Sequence, residues 1–249
     1  MTDDQGRGRA RRDDARVRFA FGPVGRTRPC GMPTPPTHER LVARLIADAR
    51  PVRPLWSPHT RLALWLVLQA LTLGVAVEFG LRPDLGGHLR QPRFLFEVGT
   101  LVAAGAMVAA VALRGAVPGM ASGRSTVTFS MALVSAAIVL VSLEPASTVR
   151  SAWGFMASGA QCLLCILGFS AIPWTALFVA VHRAAPLDPQ LMGAYVGAAA
   201  FLFAAAAVRI ACPIDEELHL LAWHMGPIAI GAALSAVAGA RWLDRWHQA

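Results

Sequence analysis

The sequence predicts an all-α, polytopic membrane protein with six transmembrane helices and a short cytoplasmic amphipathic helix ahead of them. Three observations carry this prediction. Of the 249 residues, 55% are apolar and only 15% are charged, and the mean hydropathy is +0.49, a balance unlike that of soluble domains. Six uninterrupted apolar runs each approach the roughly 20 residues that a bilayer-spanning helix requires. The runs also lack the two-residue alternation of a membrane barrel, so their backbone groups must be satisfied within helices. A buried soluble core is excluded, because six such runs would leave almost no polar surface to cover them.

Residues 1–36 form an arm rich in arginine. All 23 basic residues of the chain are Arg, and the net charge is +8. The RGRARR stretch could neutralise phosphates, but neither aromatic interleaving nor a recognition module accompanies it, so no direct nucleic-acid binding is expected. The arm reads as disordered, and Met32, opening MPTPPTHERLV, is a natural alternative start.

Residues 37–60 follow as THERLVARLIADARPVRPLWSPHT. Thr37 is placed to cap a helix in which Leu41, Val42, Leu45, Ile46 and Ala49 share one face and Arg40, Arg44 and Asp48 another, with Pro51 as the stop. A helix of about three turns is marginal alone and needs a surface to pack on. That surface is either the lipid headgroups or a cytoplasmic partner.

The membrane domain is expected over residues 61–241, with spans at Leu62–Leu81, Phe94–Leu113, Thr126–Leu143, Ala157–His182, Gln190–Ala211 and Leu218–Ala240. Short, Pro-rich loops such as RAAPLDPQ exclude an extramembrane domain between them. Residues 242–249 make a short tail whose Arg and Trp suit an interface. Arginines concentrate before the first span, which predicts a cytoplasmic N-terminus. An even number of crossings then returns the C-terminus to the same side and puts the Asp215–Glu217 loop outside.

On this topology Cys162, Cys165 and Cys212 all lie toward the outer, oxidising side, where disulfides persist. Three readings apply to them: small apolar packing residues, a disulfide joining Cys212 to Cys162 or Cys165, or a soft-ion site in which thiolates are joined by His219 or Asp215. His219 and His224 are five apart and are expected not to share a helical face, which makes the metal reading the weaker of the two chemical ones. Asp215, Glu216 and Glu217 are expected to keep the Cys212 thiol protonated, with Arg209 opposing them. Glu78 and Arg209, near span ends, are expected to reach for headgroups, and Glu97 sits early in the second span. No triad, Gly-rich phosphate loop or HExxH motif suggests an enzyme. The nearest enzymatic rival is a quinone-linked thiol-disulfide oxidoreductase using CLLC as a redox pair. A small-solute transporter is disfavoured because no internal repeat appears.

Several pieces, in order, resemble the NrsF-type membrane anti-sigma factors: LIADARPVRPL at Leu45–Leu55, GLRPDL at Gly80–Leu85, PRF with Glu97, CLLCI in the fourth span, RAAPLDP at Arg183–Pro189, and ACPIDEELHLLAW. The resemblance implies a non-enzymatic regulator in the bacterial inner membrane, holding a cognate sigma factor through its cytoplasmic N-terminal segment. Leu41, Val42, Leu45, Ile46 and Asp48 would then bind the sigma factor. It further implies release on metal or oxidant stress sensed by Cys162 and Cys212, with Cys165 as the alternative; joined with the residue reading above, it makes Cys162, Cys212 and His219 the candidate ligands of a transient soft metal ion. No resident cofactor is implied.

Overall fold

The computed structural model describes residues 37–48, 54–78, 80–120, 124–143 and 151–244. The expected arm and the end of the tail lie outside these residues. The chain divides into two units, Met1–Val52 and Arg53–Ala249. In the first, α1 runs over Thr37–Ala47, and the Asp48 N–H donates to the Arg44 carbonyl, extending the turn. Its apolar stripe is open: Leu41, Val42, Leu45 and Ile46 are all at least half exposed.

All the regular structure among the described residues of the second unit is helical: α2 Pro58–Glu78, α3 Leu85–His88, α4 Pro92–Gly115, α5 Arg124–Ser142, α6 Ala152–His182, α7 Pro189–Ala211, α8 Glu217–Leu220, a π-turn at Leu221–Met225, and α9 Gly226–Trp242. Six helical stretches are long and apolar enough to cross a membrane, the last being α8 through α9. Boundaries differ from the sequence expectation for local reasons. The second and fifth spans start at prolines, Pro92 and Pro189, which suit the first turn of a helix. The fourth span starts at Ala152 rather than Ala157, because the Ser151 hydroxyl accepts from the Gly154 N–H and caps an earlier turn. The first ends at Glu78, two residues before Gly80, whose φ of 124° leaves the helical region.

Helix α7 is the hub. It packs against α4, α6 and α9 and is the most thoroughly buried of the spans. Between membrane helices apolar burial discriminates little, and close approach through small residues supplies the packing. A Cβ on Gly193 would strike the Ser235 carbonyl and the Gly239 backbone, and one on Gly197 would strike the Gly231 carbonyl. The stripes Gly193–Gly197 on α7 and Gly231–Ser235–Gly239 on α9 therefore meet backbone to backbone. Ser235 fastens the seam, donating to the Gly193 carbonyl at 2.7 Å and accepting from Trp174 Nε1 of α6 at 2.8 Å. Gly193→Val is expected to lower stability by about 1–3 kcal/mol or more in denaturant unfolding of the detergent-solubilised protein. Gly168→Ala, with nothing within 4 Å of the added Cβ, should not.

The spans alternate in direction. The start of α2 meets the ends of α4 and α6, where Arg61 donates to the Leu113 and Ala180 carbonyls. The chain just beyond α2 meets the end of α7, where the Arg82 N–H donates to the Ile210 carbonyl. This second end of the bundle holds the chemistry.

Candidate functional site

Two adjoining clusters occupy that end. The first is ionic. Arg209, near the end of α7, is 2% exposed, and Glu97 of α4 is 1% exposed. Arg209 Nε donates to Glu97 Oε1 at 2.7 Å and Nη1 to Asp215 Oδ1 at 2.6 Å. Asp215 also receives a fork from Arg82, Nη1 to Oδ1 at 2.9 Å and Nη2 to Oδ2 at 2.5 Å. Arg82 in turn holds Asp84 at 2.7 Å, and His88 Nε2 lies 3.3 Å from Asp215. The Phe94 ring sits beside both guanidiniums, 5.9 Å from Arg82 and 5.1 Å from Arg209. Arg209 is thus a buried, paired cation and not the headgroup anchor its position near a span end suggests. The low dielectric makes an unpaired charge costly, and Glu97 and Asp215 supply the compensation.

Burial raises the Asp215 carboxyl, but hydrogen bonds from Arg82 and Arg209 outweigh it and hold the group at about 2, against an ordinary 3.8. A folded pKa below the unfolded one adds stability above the unfolded value, and that contribution fades as pH falls from 3.8 toward 2. Unfolding in detergent should therefore show wild-type stability dropping across this window, and Asp215→Asn should flatten the drop.

The second cluster is soft. Cys162 of α6, Cys212 at the C-cap of α7, His219 of α8 and His224 of the π-turn each offer one ligand atom, all within 4.8 Å of one another. Cys162 Sγ lies 3.7 Å from Cys212 Sγ and 3.5 Å from His219 Nε2, and Cys212 Sγ lies 3.7 Å from the same nitrogen. Metal–sulfur and metal–nitrogen bonds of about 2.3 and 2.0 Å put tetrahedral ligand atoms about 3.3–3.8 Å apart. Three of the four are already at that spacing. His224 is fully buried, and neither ring nitrogen has a hydrogen-bond partner among the described residues.

His224 is the residue that sequence reasoning left out, and the π-turn is why. An α-helix separates residues five apart, whereas a π-turn, with i→i+5 bonding, brings them into register. The Gly226 N–H donates to the Leu221 carbonyl, five residues back. Pro227 follows and, lacking an N–H, cannot close an α-turn onto Trp223. The His219 and His224 rings consequently meet edge to face, with centroids 5.7 Å apart. Trp223, on the same turn, lies against Gly159 of α6, where any Cβ would overlap its ring.

The geometry also separates the cysteines. Cys162 and Cys212 are buried together, while Cys165 is half-buried against the core and stands outside the group. The expected influence of the acidic loop on Cys212 is corrected as well. Asp215 is consumed by the two arginines, and the Cys212 sulfur instead lies among Cys162, His219, His224 and the Ile214 carbonyl at 3.9 Å. The sigma-binding candidates Leu41, Val42, Leu45, Ile46 and Asp48 all belong to the other unit and are exposed there.

A family model described as negative regulator of sigma F matches residues 45–246 of the chain. No match was found among curated proteins or among solved structures.

Proposed function

The chain belongs to the NrsF family, negative regulators of sigma F, and on that premise we propose a membrane anti-sigma factor that senses soft metal ions or oxidants. In this reading the α1 segment captures a cognate sigma factor in the cytoplasm. The cluster of Cys162, Cys212, His219 and His224 faces outward and triggers release. The six apolar helices support a multi-pass membrane protein, and the arginine-rich N-terminus favours a bacterial inner-membrane orientation with both termini cytoplasmic.

The observation that carries the sensing role is the convergence of two thiols and two imidazoles, from α6, the end of α7, α8 and the π-turn, on one buried point. Thiolate and imidazole are the ligand types that select soft and borderline cations such as cadmium or zinc. Binding requires both thiols to lose their protons, so affinity rises with pH. A two-electron oxidant reaches the same pair differently: two thiols give up two protons and two electrons and become one disulfide. Either event draws α6 toward the loop between α7 and α8. A signal at the far end follows only if the bundle has two arrangements and the ligand prefers one.

The capture role rests on the apolar stripe of α1, whose four large side chains are each at least half exposed. Each is worth about 1.5–3 kcal/mol when fully buried. Replacing Leu41, Leu45 and Ile46 by Ser is therefore expected to abolish pull-down of the cognate sigma factor while membrane insertion persists. Unchanged capture would reduce α1 to a lipid-surface helix.

A further inference from the structure

At the end of the bundle opposite the soft cluster, α2 and α6 part to leave a groove of about 670 Å³, within the roughly 300–1,000 Å³ typical of small-molecule sites. Its α2 wall carries Arg61, Leu64 and Leu68, and its α6 wall Ala176, Ala180 and Arg183. The two alanines, one turn apart, make a floor with no side chain large enough to fill the space.

The groove is charged at one end. Arg61 is 9% exposed. Its Nη1 donates to the Ala180 carbonyl at 3.1 Å and its Nη2 to the Leu113 carbonyl at 3.2 Å. Both acceptors are neutral groups near helix C-termini, whose partial negative charge compensates only part of a full cation. Among the described residues no carboxylate pairs with Arg61 and its Nε has no hydrogen-bond partner. Arg183, the exposed C-cap residue of α6, adds a second cation to the rim. A guanidinium buried without an acid in a membrane helix calls for an anion. Beneath it the lining is apolar.

We propose that this groove holds an anionic phospholipid of the leaflet in which α2 begins, its phosphate beside Arg61 and Arg183 and an acyl chain along Leu64, Leu68 and the two alanines. A free phosphate would meet the cations but leave the apolar length unfilled. A zwitterionic lipid would fill the length but bring its own cation to the two arginines. Basic pockets between membrane helices hold anionic headgroups in this way. The site lies on the same two helices that Arg61 staples together, so an occupied groove also supports the contact of α2 with the ends of α4 and α6.

The test uses the full chain in nanodiscs of equal phosphatidylglycerol and phosphatidylcholine, with retained lipids counted by native mass spectrometry after release. Wild type is expected to retain phosphatidylglycerol over phosphatidylcholine by about fivefold or more, the factor for one arginine near an anionic headgroup. Arg183→Gln should remove most of that preference, and Ala180→Phe, which fills the groove without touching a charge, should remove it too. Arg61→Gln is informative only if helicity is intact, so Ala180→Phe keeps the proposal testable. Arg114→Gln, at the end of α4 and outside the groove, should retain the preference. Equal retention of the two lipids by wild type would overturn the proposal. So would an Ala180→Phe protein that keeps the preference, or an Arg114→Gln protein that loses as much as Arg183→Gln, since either would reduce the effect to general surface charge. Loss of retained lipid on adding inorganic phosphate alone would assign the groove to a free anion instead.

Discussion

With Cys162 and Cys212 both replaced by Ser, the sigma-dependent reporter is expected to stay repressed at its basal level while its induction ratio by cadmium or oxidant falls to about 1, because a hydroxyl is a poor ligand for soft cations and cannot form a disulfide. The two sulfurs are 3.7 Å apart and share His219 Nε2 as a neighbour, so each substitution alone should also cripple the response. Folding should survive. The imidazole that now faces each thiol remains available to a hydroxyl, which limits the cost of burying it. Cys165→Ser should induce normally, since that sulfur stands outside the ligand group. His224→Leu should preserve the response to oxidant, which needs only the thiols, and shift the cadmium response to higher concentration. That contrast separates coordination from oxidation, and a reporter that still responds in the double serine variant would make both cysteines packing residues.

Arg209→Met is expected to be the most damaging single change to the fold. It strands the Glu97 carboxylate, 1% exposed, and removes one of the two guanidiniums that hold Asp215. Removing one partner of a buried pair costs about 3–5 kcal/mol, chiefly for the charge left behind. Unfolding of the detergent-solubilised protein should register that loss, and adding Glu97→Gln should recover part of it by neutralising the stranded acid. A loss below about 1 kcal/mol would mean that the pair is solvated and behaves like a surface bridge. The change should also blunt sensing, because Asp215 anchors the loop that begins at Cys212. The ionic cluster thus acts as the scaffold of the soft one.

The two clusters were unequally legible in the sequence. The six spans are readable because apolar run length alone decides them, whereas their exact bounds turn on local features that composition does not show, such as the Ser151 cap at a start and the positive φ of Gly80 after an end. Chemistry and order along the chain point to Cys212 with either Cys162 or Cys165, and to His219 or Asp215 beside them, and only the family resemblance favours Cys162 over Cys165. His224 was passed over because a period of 3.6 residues forbids its meeting His219. The clue was Pro227, three residues on, which disfavours an α-turn and admits the extra residue of a π-turn. The pairing of Arg209 with Glu97 spans 112 positions, beyond the reach of any local pattern. Its trace was the oddity of two charges inside apolar runs. Arg82 lies in the GLRPDL piece of the family resemblance, but nothing local marks its pairing with Asp215, 133 positions away.

The central claim is that occupancy of the soft cluster and capture of the sigma factor are linked, and linkage is reciprocal. The direct measurement is the dissociation constant of the purified cognate sigma factor for the full chain in nanodiscs, with and without saturating cadmium. The account predicts a weakening of about 5–150-fold in the presence of cadmium, absent in the Cys162→Ser, Cys212→Ser variant. An unchanged dissociation constant in wild type, with cadmium shown to be bound, would contradict it.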